Sequence, residues 1–186
     1  VATEKGVGVN AAGRMTAGTG GIAIQADGTL TISNDLKATG GAITVGAGSI
    51  AHTAGAISTD SLVMLQSAGA LSSSGGSIKG QDIVLASSGA SLFLNANLEA
   101  LGDLSLSSGS TLDLASGTFK AGGAASLWSS GDLKLWPTKI TNTLAIDGGT
   151  KTIDTYSITV LDVKGDVSLQ SSNGVVSLDG SYVNAG

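Results

Sequence analysis

The chain has 186 residues, a formal net charge of −5, one Arg, one Pro, no Cys, 29 Gly and six aromatic residues. This acidic balance argues against nucleic acid as a partner, the lack of Cys rules out disulfide stapling, and no apolar run approaches the ~20 residues a helix needs to cross a bilayer. Aliphatic residues are spread evenly, which fits a thin continuous core of Leu, Ile and Val better than one thick globular core; with neither a signal peptide nor an initiating Met, Val1 is expected to begin a fragment.

From the start, residues 1–21 read as an incomplete coil, with Val7 and Val9 matching a second strand and Met15 a third. The first full turn follows as Ile22-Ala-Ile24, a turn at Gly28, Thr29-Leu-Thr-Ile32 and then Leu36. Ile43/Val45, Ile50 and Ile57 make the next coil; Val63/Leu65, Leu71 and Ile78 another; Ile83/Leu85, Leu92/Leu94 and Leu98 a further one. The stretch from Leu104 to Gly122 is the most regular, with Leu104/Leu106, Leu112/Leu114 and Phe119 separated by Gly109 and Gly117. Ala125/Leu127, Leu133/Leu135 and Ile140 continue the pattern, with Trp136-Pro137 disturbing a corner. Leu144/Ile146, Ile153 and Val163 form a slack coil, and Val167/Leu169, Val176/Leu178 and Val183 come last.

Within each coil the alternation has period two, so one side chain points inward and the next outward. Ser, Thr and Gly crowd these segments and are poor helix interiors. The third-strand anchors Met15, Leu36, Ile57, Ile78, Leu98, Phe119, Ile140, Val163 and Val183 recur every 20 to 23 residues. The first-strand series Ile24, Val45, Leu65, Leu85, Leu106, Leu127, Ile146 and Leu169 keeps the same period, and both stretch near residue 150 as if about two residues were inserted. A fixed period of this size indicates stacked repeats. Three strands per repeat, each pairing in parallel with its counterpart one turn away, make a coil. Such crossovers favour the right hand. The expected fold is therefore all-β: a right-handed, single-stranded parallel β-helix of about 21 residues per coil and roughly eight to nine coils, spanning residues 1–186 as one segment of a longer repetitive shaft.

Gly102-Asp-Leu-Ser-Leu-Ser-Ser-Gly109, Gly131-Asp-Leu-Lys-Leu135 and Gly165-Asp-Val-Ser-Leu-Gln-Ser-Ser172 resemble the repeats of filamentous haemagglutinin-type exoproteins. These are the secreted partners of bacterial two-partner secretion, and they include adhesins and contact-dependent growth-inhibition toxins. Autotransporter passengers have similar repeats. The asparagine-proline motifs of the family's secretion domain are missing here, since the one Pro follows Trp136. The resemblance implies a piece of the repetitive shaft, an outer-membrane secretion partner, location at the bacterial surface, and no catalytic residues or cofactor.

The candidate sites are few. Lys37, Lys79, Lys120 and Lys164 each directly follow a third-strand anchor, with Glu99 in the same column and Ser58 and Thr141 in the skipped coils. This column reads either as a solvated face that blunts aggregation or as a strip for anionic glycans. Trp128 and Trp136 follow inward leucines, so they face outward, where an indole can stack on a sugar; the Gly131 corner between them puts them on different faces. His52 takes an inward slot, and Ser73 takes the same slot one coil later. Without companion His or Cys it is expected to be hydrogen-bonded rather than a metal ligand.

Asp82 and Asp103 stack at the entry to the first strand, Ala124 breaks that column, and Asp166 lies further on. They read as Asx-type caps rather than the carboxylate cluster of a β-helical polysaccharide lyase or hydrolase. No Gly-x-Ser-x-Gly elbow with a usable His is present, nor is a calcium nonapeptide repeat. Thr29/Thr31, Thr141/Thr143 and Thr150/Thr152 pair without recurring at the coil period. The reading is a non-enzymatic shaft without cofactor or metal, facing a host or neighbouring-cell receptor or a surface glycan. A polysaccharide-processing enzyme is the rival.

Overall fold

In the computed structural model, which describes residues 9–11, 13–147 and 149–186, the chain winds into a parallel β-solenoid, and no helix occurs among these residues. Three columns of strands run along it. The third-strand column is an eight-stranded sheet: Met15–Ala17, Leu36–Ala38, Ala56–Ser58, Ser77–Gly80, Asn97–Ala100, Thr118–Ala121, Val160–Val163 and Tyr182–Ala185. The chain therefore makes eight described turns. First and second strands belong to a single larger sheet, because in the early coils one strand, Ile22–Ile32 or Ile43–His52, runs through both positions. Val9–Ala11 pairs with Leu30 to Ile32, as a second strand should; Val7 lies outside the described residues.

Register follows the aliphatic slots. Leu65, Leu85, Leu106 and Leu127 are stacked partner to partner, as are Leu71, Leu92, Leu112 and Leu133. All eight are fully buried. A slip of one residue would turn every one of these side chains to water, so the core fixes the register. The corners are tight. Gly55 and Gly76 adopt φ of +86° and +76° and stack so closely that a side chain on Gly76 would collide with the Gly55 carbonyl. Only glycine fits there without strain.

The coil around residue 150 is not a coil. Residues Thr138–Ile146 and Gly149–Ser157 form an antiparallel hairpin that leaves the solenoid between the second and third strands of one turn. Leu127 pairs directly with Leu169, and Leu133 with Val176, across the excursion. The third-strand partner of Phe119 is Leu161, with Val163 two residues on beside Ala121. Ile140, Leu144 and Ile153, expected in the core, are 45%, 54% and 42% exposed. Ile146 pairs with Gly149 at the hairpin's tip and so leaves the first-strand column. The physical reason is length. The hairpin is close to one coil long and shares the period-two alternation of any strand, so the repeat arithmetic runs across it almost without a break.

Ser116 and Thr159 fasten the hairpin's base. Ser116, the one described residue other than glycine with a positive φ (+53°), donates its hydroxyl to the Ser157 carbonyl at 3.0 Å and accepts the Thr138 amide at 2.8 Å. The buried Thr159 hydroxyl accepts the Ser116 amide at 2.9 Å and lies 2.7 Å from the Trp136 carbonyl oxygen. Pro137, which has no N–H to give to a ladder, marks the departure point.

The slot assignment is directly testable. Leu106→Asp places an unpaired charge in the dry stack and is expected to cost on the order of 3–5 kcal/mol, while Ser105→Asp, one residue away on the outward face, should be nearly neutral. Equal shifts in the denaturant unfolding midpoint for the two variants would refute the assignment.

Candidate functional site

The polar residues of the solenoid are arranged mainly to join one coil to the next. At the end of the first strand the inward slot changes from Ala26 and Ala47 to Ser67, Ser87, Ser108, Ser129 and Ser171, all in register. A buried hydroxyl needs a partner, and each finds corner carbonyls. Ser67 donates to Gly69 at 2.7 Å, Ser87 lies between Gly69 and Ala90 at 2.6 and 2.9 Å, and Ser108 between Ala90 and Thr111 at 2.9 and 2.7 Å. Ser129 and Ser171 share the Gly131 carbonyl, each at 2.7 Å. The sequence reading missed this ladder, although its signal is visible: in Leu104-Ser-Leu-Ser-Ser108 the alternation makes Ser108 the third inward position.

A second ladder runs at the corners. Asp82 accepts the amide of Asp103 at 2.8 Å, and Asp103 accepts that of Ala124 at 2.8 Å. Asp35 does the same for Ala56, Asn97 for Thr118 and Asp132 for Val175, at 2.9, 3.0 and 3.1 Å. The capping expected of Asp82 and Asp103 is present, but the capped amide belongs to the next coil rather than to a local turn. The Lys37 ammonium, helped by the Ala56 amide, holds the Asp35 carboxyl below its ordinary range, and Lys134 with the Val175 amide does so for Asp132. Asp113 shifts the other way, raised by burial against the pull of Lys134.

The third-strand charge column differs from its sequence reading. Lys37, Ser58, Lys79, Glu99 and Lys120 stack as expected, but the next residue in register is Asp162, followed by Asn184. Lys164 lies past the end of its strand, and Thr141 is on the hairpin. Signs therefore alternate from Lys79 onward. Lys79 binds Glu99 at 2.8 Å and keeps its carboxyl low, and Asn184 donates to Asp162 at 2.9 Å. Such exposed pairs contribute at most ~1 kcal/mol, but they leave no uniformly basic strip for a polyanion.

The two tryptophans are not brought together. Trp128, 36% exposed, stands on the first-strand column with Ser107 and Gln170 beside it in register. Trp136, 41% exposed, ends a second strand at the hairpin base. A shallow depression opens further along the first-strand face where Gly46 lacks a side chain between Gln25 and Gln66, with Thr44 and Met64 on its wall. Of the threonine pairs, Thr141/Thr143 and Thr150/Thr152 share one face of the hairpin, with Thr143 directly opposite Thr152. Among the described residues no group of three or more His, Asp or Glu is placed to hold a metal ion, and no helix is long and apolar enough to cross a membrane.

His52 is fully buried in the second-strand column, between Ile32 and Ser73. Its Nδ1 lies 2.8 Å from the Ser73 hydroxyl and its Nε2 3.3 Å from the Gly55 carbonyl. A carbonyl can only accept, so Nε2 carries the proton and Nδ1 accepts from Ser73. Burial pushes the imidazole below its ordinary pKa. No protein-family model, curated protein or solved structure matches the chain, so the likeness to haemagglutinin-type repeats rests on the repeat residues themselves.

His52 is the chain's one histidine and gives a pH prediction. Its folded pKa lies below its unfolded value of about 6.5, so the unfolded chain takes up a proton that the folded chain refuses. Its stabilising contribution is complete above that pH and falls as pH drops through the window towards the folded value. The depressed Asp35, Glu99 and Asp132 lose theirs only below about pH 4. Urea midpoints compared between pH 7.5 and 5 should fall in the native protein and fall less in His52→Gln. Parallel slopes in the two proteins would contradict a neutral, buried imidazole.

Proposed function

We propose that the chain is a length of structural shaft from a large bacterial surface exoprotein of the haemagglutinin type, exported by an outer-membrane partner and holding binding or toxin domains away from the cell. One observation carries this reading. Turn after turn the same inward slots stack partner to partner, Leu65, Leu85, Leu106 and Leu127 in one column and Leu71, Leu92, Leu112 and Leu133 in another, so the coils build a rod that lengthens by repetition. Internal support comes from the polar side chains. Asp82 and Asp103, the carboxylates that a glycan-processing enzyme would most readily have used, are turned to backbone amides of the next coil.

Two experiments test the proposal. Extending the chain by one native coil at each end should raise the unfolding midpoint and steepen the denaturant slope, because each added interface buries more surface. An unchanged midpoint and slope would point to a self-contained domain. In the second, the purified protein is incubated with acidic and neutral polysaccharides, with and without calcium, and should release no new reducing or unsaturated ends. Release that disappears in Asp82→Asn/Asp103→Asn would instead establish the enzymatic alternative.

A further inference from the structure

The hairpin's two faces are chemically different. Directly paired residues share a face, so Ile140, Leu144 and Ile153 lie on one side with Asn142, Thr155 and Lys151. Thr141, Thr143, Thr150 and Thr152 lie on the other, where Asp154 binds Lys139 at 2.8 Å and Thr141 at 2.9 Å. Every described side chain from Lys139 to Tyr156 is exposed, and the sheet they form has two strands only. A two-stranded ribbon in water is marginally stable, and a third or fourth strand is what ordinarily secures it. Among the described residues no third strand pairs with either outer edge, and only at the base does Ser116 bond the Thr138 amide and the Ser157 carbonyl.

Two of the usual protections of an open edge, a proline and a bulge, are missing. Neither strand contains a proline or a register shift, and the segment's two lysines and two aspartates balance. Its lysine on the strand Thr138–Ile146, Lys139, is drawn to the polar face by Asp154. That strand is also complementary to itself. Turned antiparallel about Asn142, it sets Ile140 opposite Leu144 of a second copy, Thr141 opposite Thr143, and Lys139 opposite the small neutral Ala145. No like charges meet, and the apolar stripes of two hairpins merge. The other strand, turned about Ile153, would set Lys151 against Thr155 and Thr152 against Asp154, leaving Ile153 against its own copy as the sole aliphatic contact.

We propose that the hairpin is a self-association arm: two copies of this chain join edge to edge through Thr138–Ile146, making a four-stranded antiparallel sheet across a two-fold axis at Asn142. The contact is a ribbon ~30 Å long, well under the area of a permanent interface, so the expected complex is weak and reversible. In the proposed shaft it would tie neighbouring shafts side by side; the pairing itself does not depend on that reading.

Sedimentation equilibrium of the intact chain should show a monomer–dimer equilibrium in the micromolar range or above. Ile140→Lys/Leu144→Lys sets lysine opposite lysine in this register and should weaken association at least tenfold; Ile140→Glu/Leu144→Glu should do the same. Mixing the two variants should restore a dimer, since each lysine then faces a glutamate. Both side chains are exposed and outside the core, so the main unfolding midpoint should stay put, which separates lost pairing from lost folding. A monomer at all concentrations, association untouched by both charge pairs, or a mixture that remains monomeric would each overturn the proposal.

Discussion

The solenoid depends on parallel, in-register stacking, in which a side chain has the same slot of the neighbouring coil about 4.8 Å above and below it. The interior is therefore a set of columns rather than a single cluster. A residue admitted to a column must suit two near-identical neighbours, which explains why Leu, Ile and Val fill most slots, with Ala or Ser at many strand ends, and why Phe119 is the one Phe, Tyr or Trp fully buried among the described residues. Burying an aliphatic side chain contributes roughly 1.5–3 kcal/mol. Repetition along the axis lets a core only a few residues wide offset the entropy of ordering so many strands.

The same constraint governs the polar residues. A hydroxyl or imidazole in a column cannot reach water, so it must bond within its own coil or to the next. Ser67 to Ser171 do so along the first-strand corner, and His52 with Ser73 does so in the second-strand column. Among the described residues no buried side-chain polar atom is left without a partner. The carboxylates at the outer corners act in the same direction, each holding the amide of the coil above. These side chains thus join one turn to the next.

The hairpin is the one departure. A solenoid tolerates an insertion at a corner because the strands before and after it still meet their partners: Leu133 finds Val176, and Phe119 finds Leu161, with the excursion lying outside the stack. Ser116 and Thr159 close the gap with hydrogen bonds across the root of the arm, and the left-handed backbone at Ser116 turns its hydroxyl to serve both hairpin strands. The apolar residues of the hairpin gain nothing from the solenoid core. This makes them available to something else.

The alternation of aliphatic and small polar residues, repeated every 20 to 21 positions, was enough to define the solenoid, its three strand columns and most inward slots, including the enclosed position of His52. Stacking in register is a local rule multiplied, so it is written in the sequence. Three things were decided only in space. Ile140 and Ile153 carry the same local signal as a core strand, and whether such a strand joins the stack or folds back on its neighbour depends on which partner it finds. Counting through that hairpin puts Lys164 in the charge column, whereas pairing sets Asp162 beside Lys120. The amides capped by Asp82 and Asp103 lie one coil away, and a sequence shows that separation only as 21 residues of intervening chain.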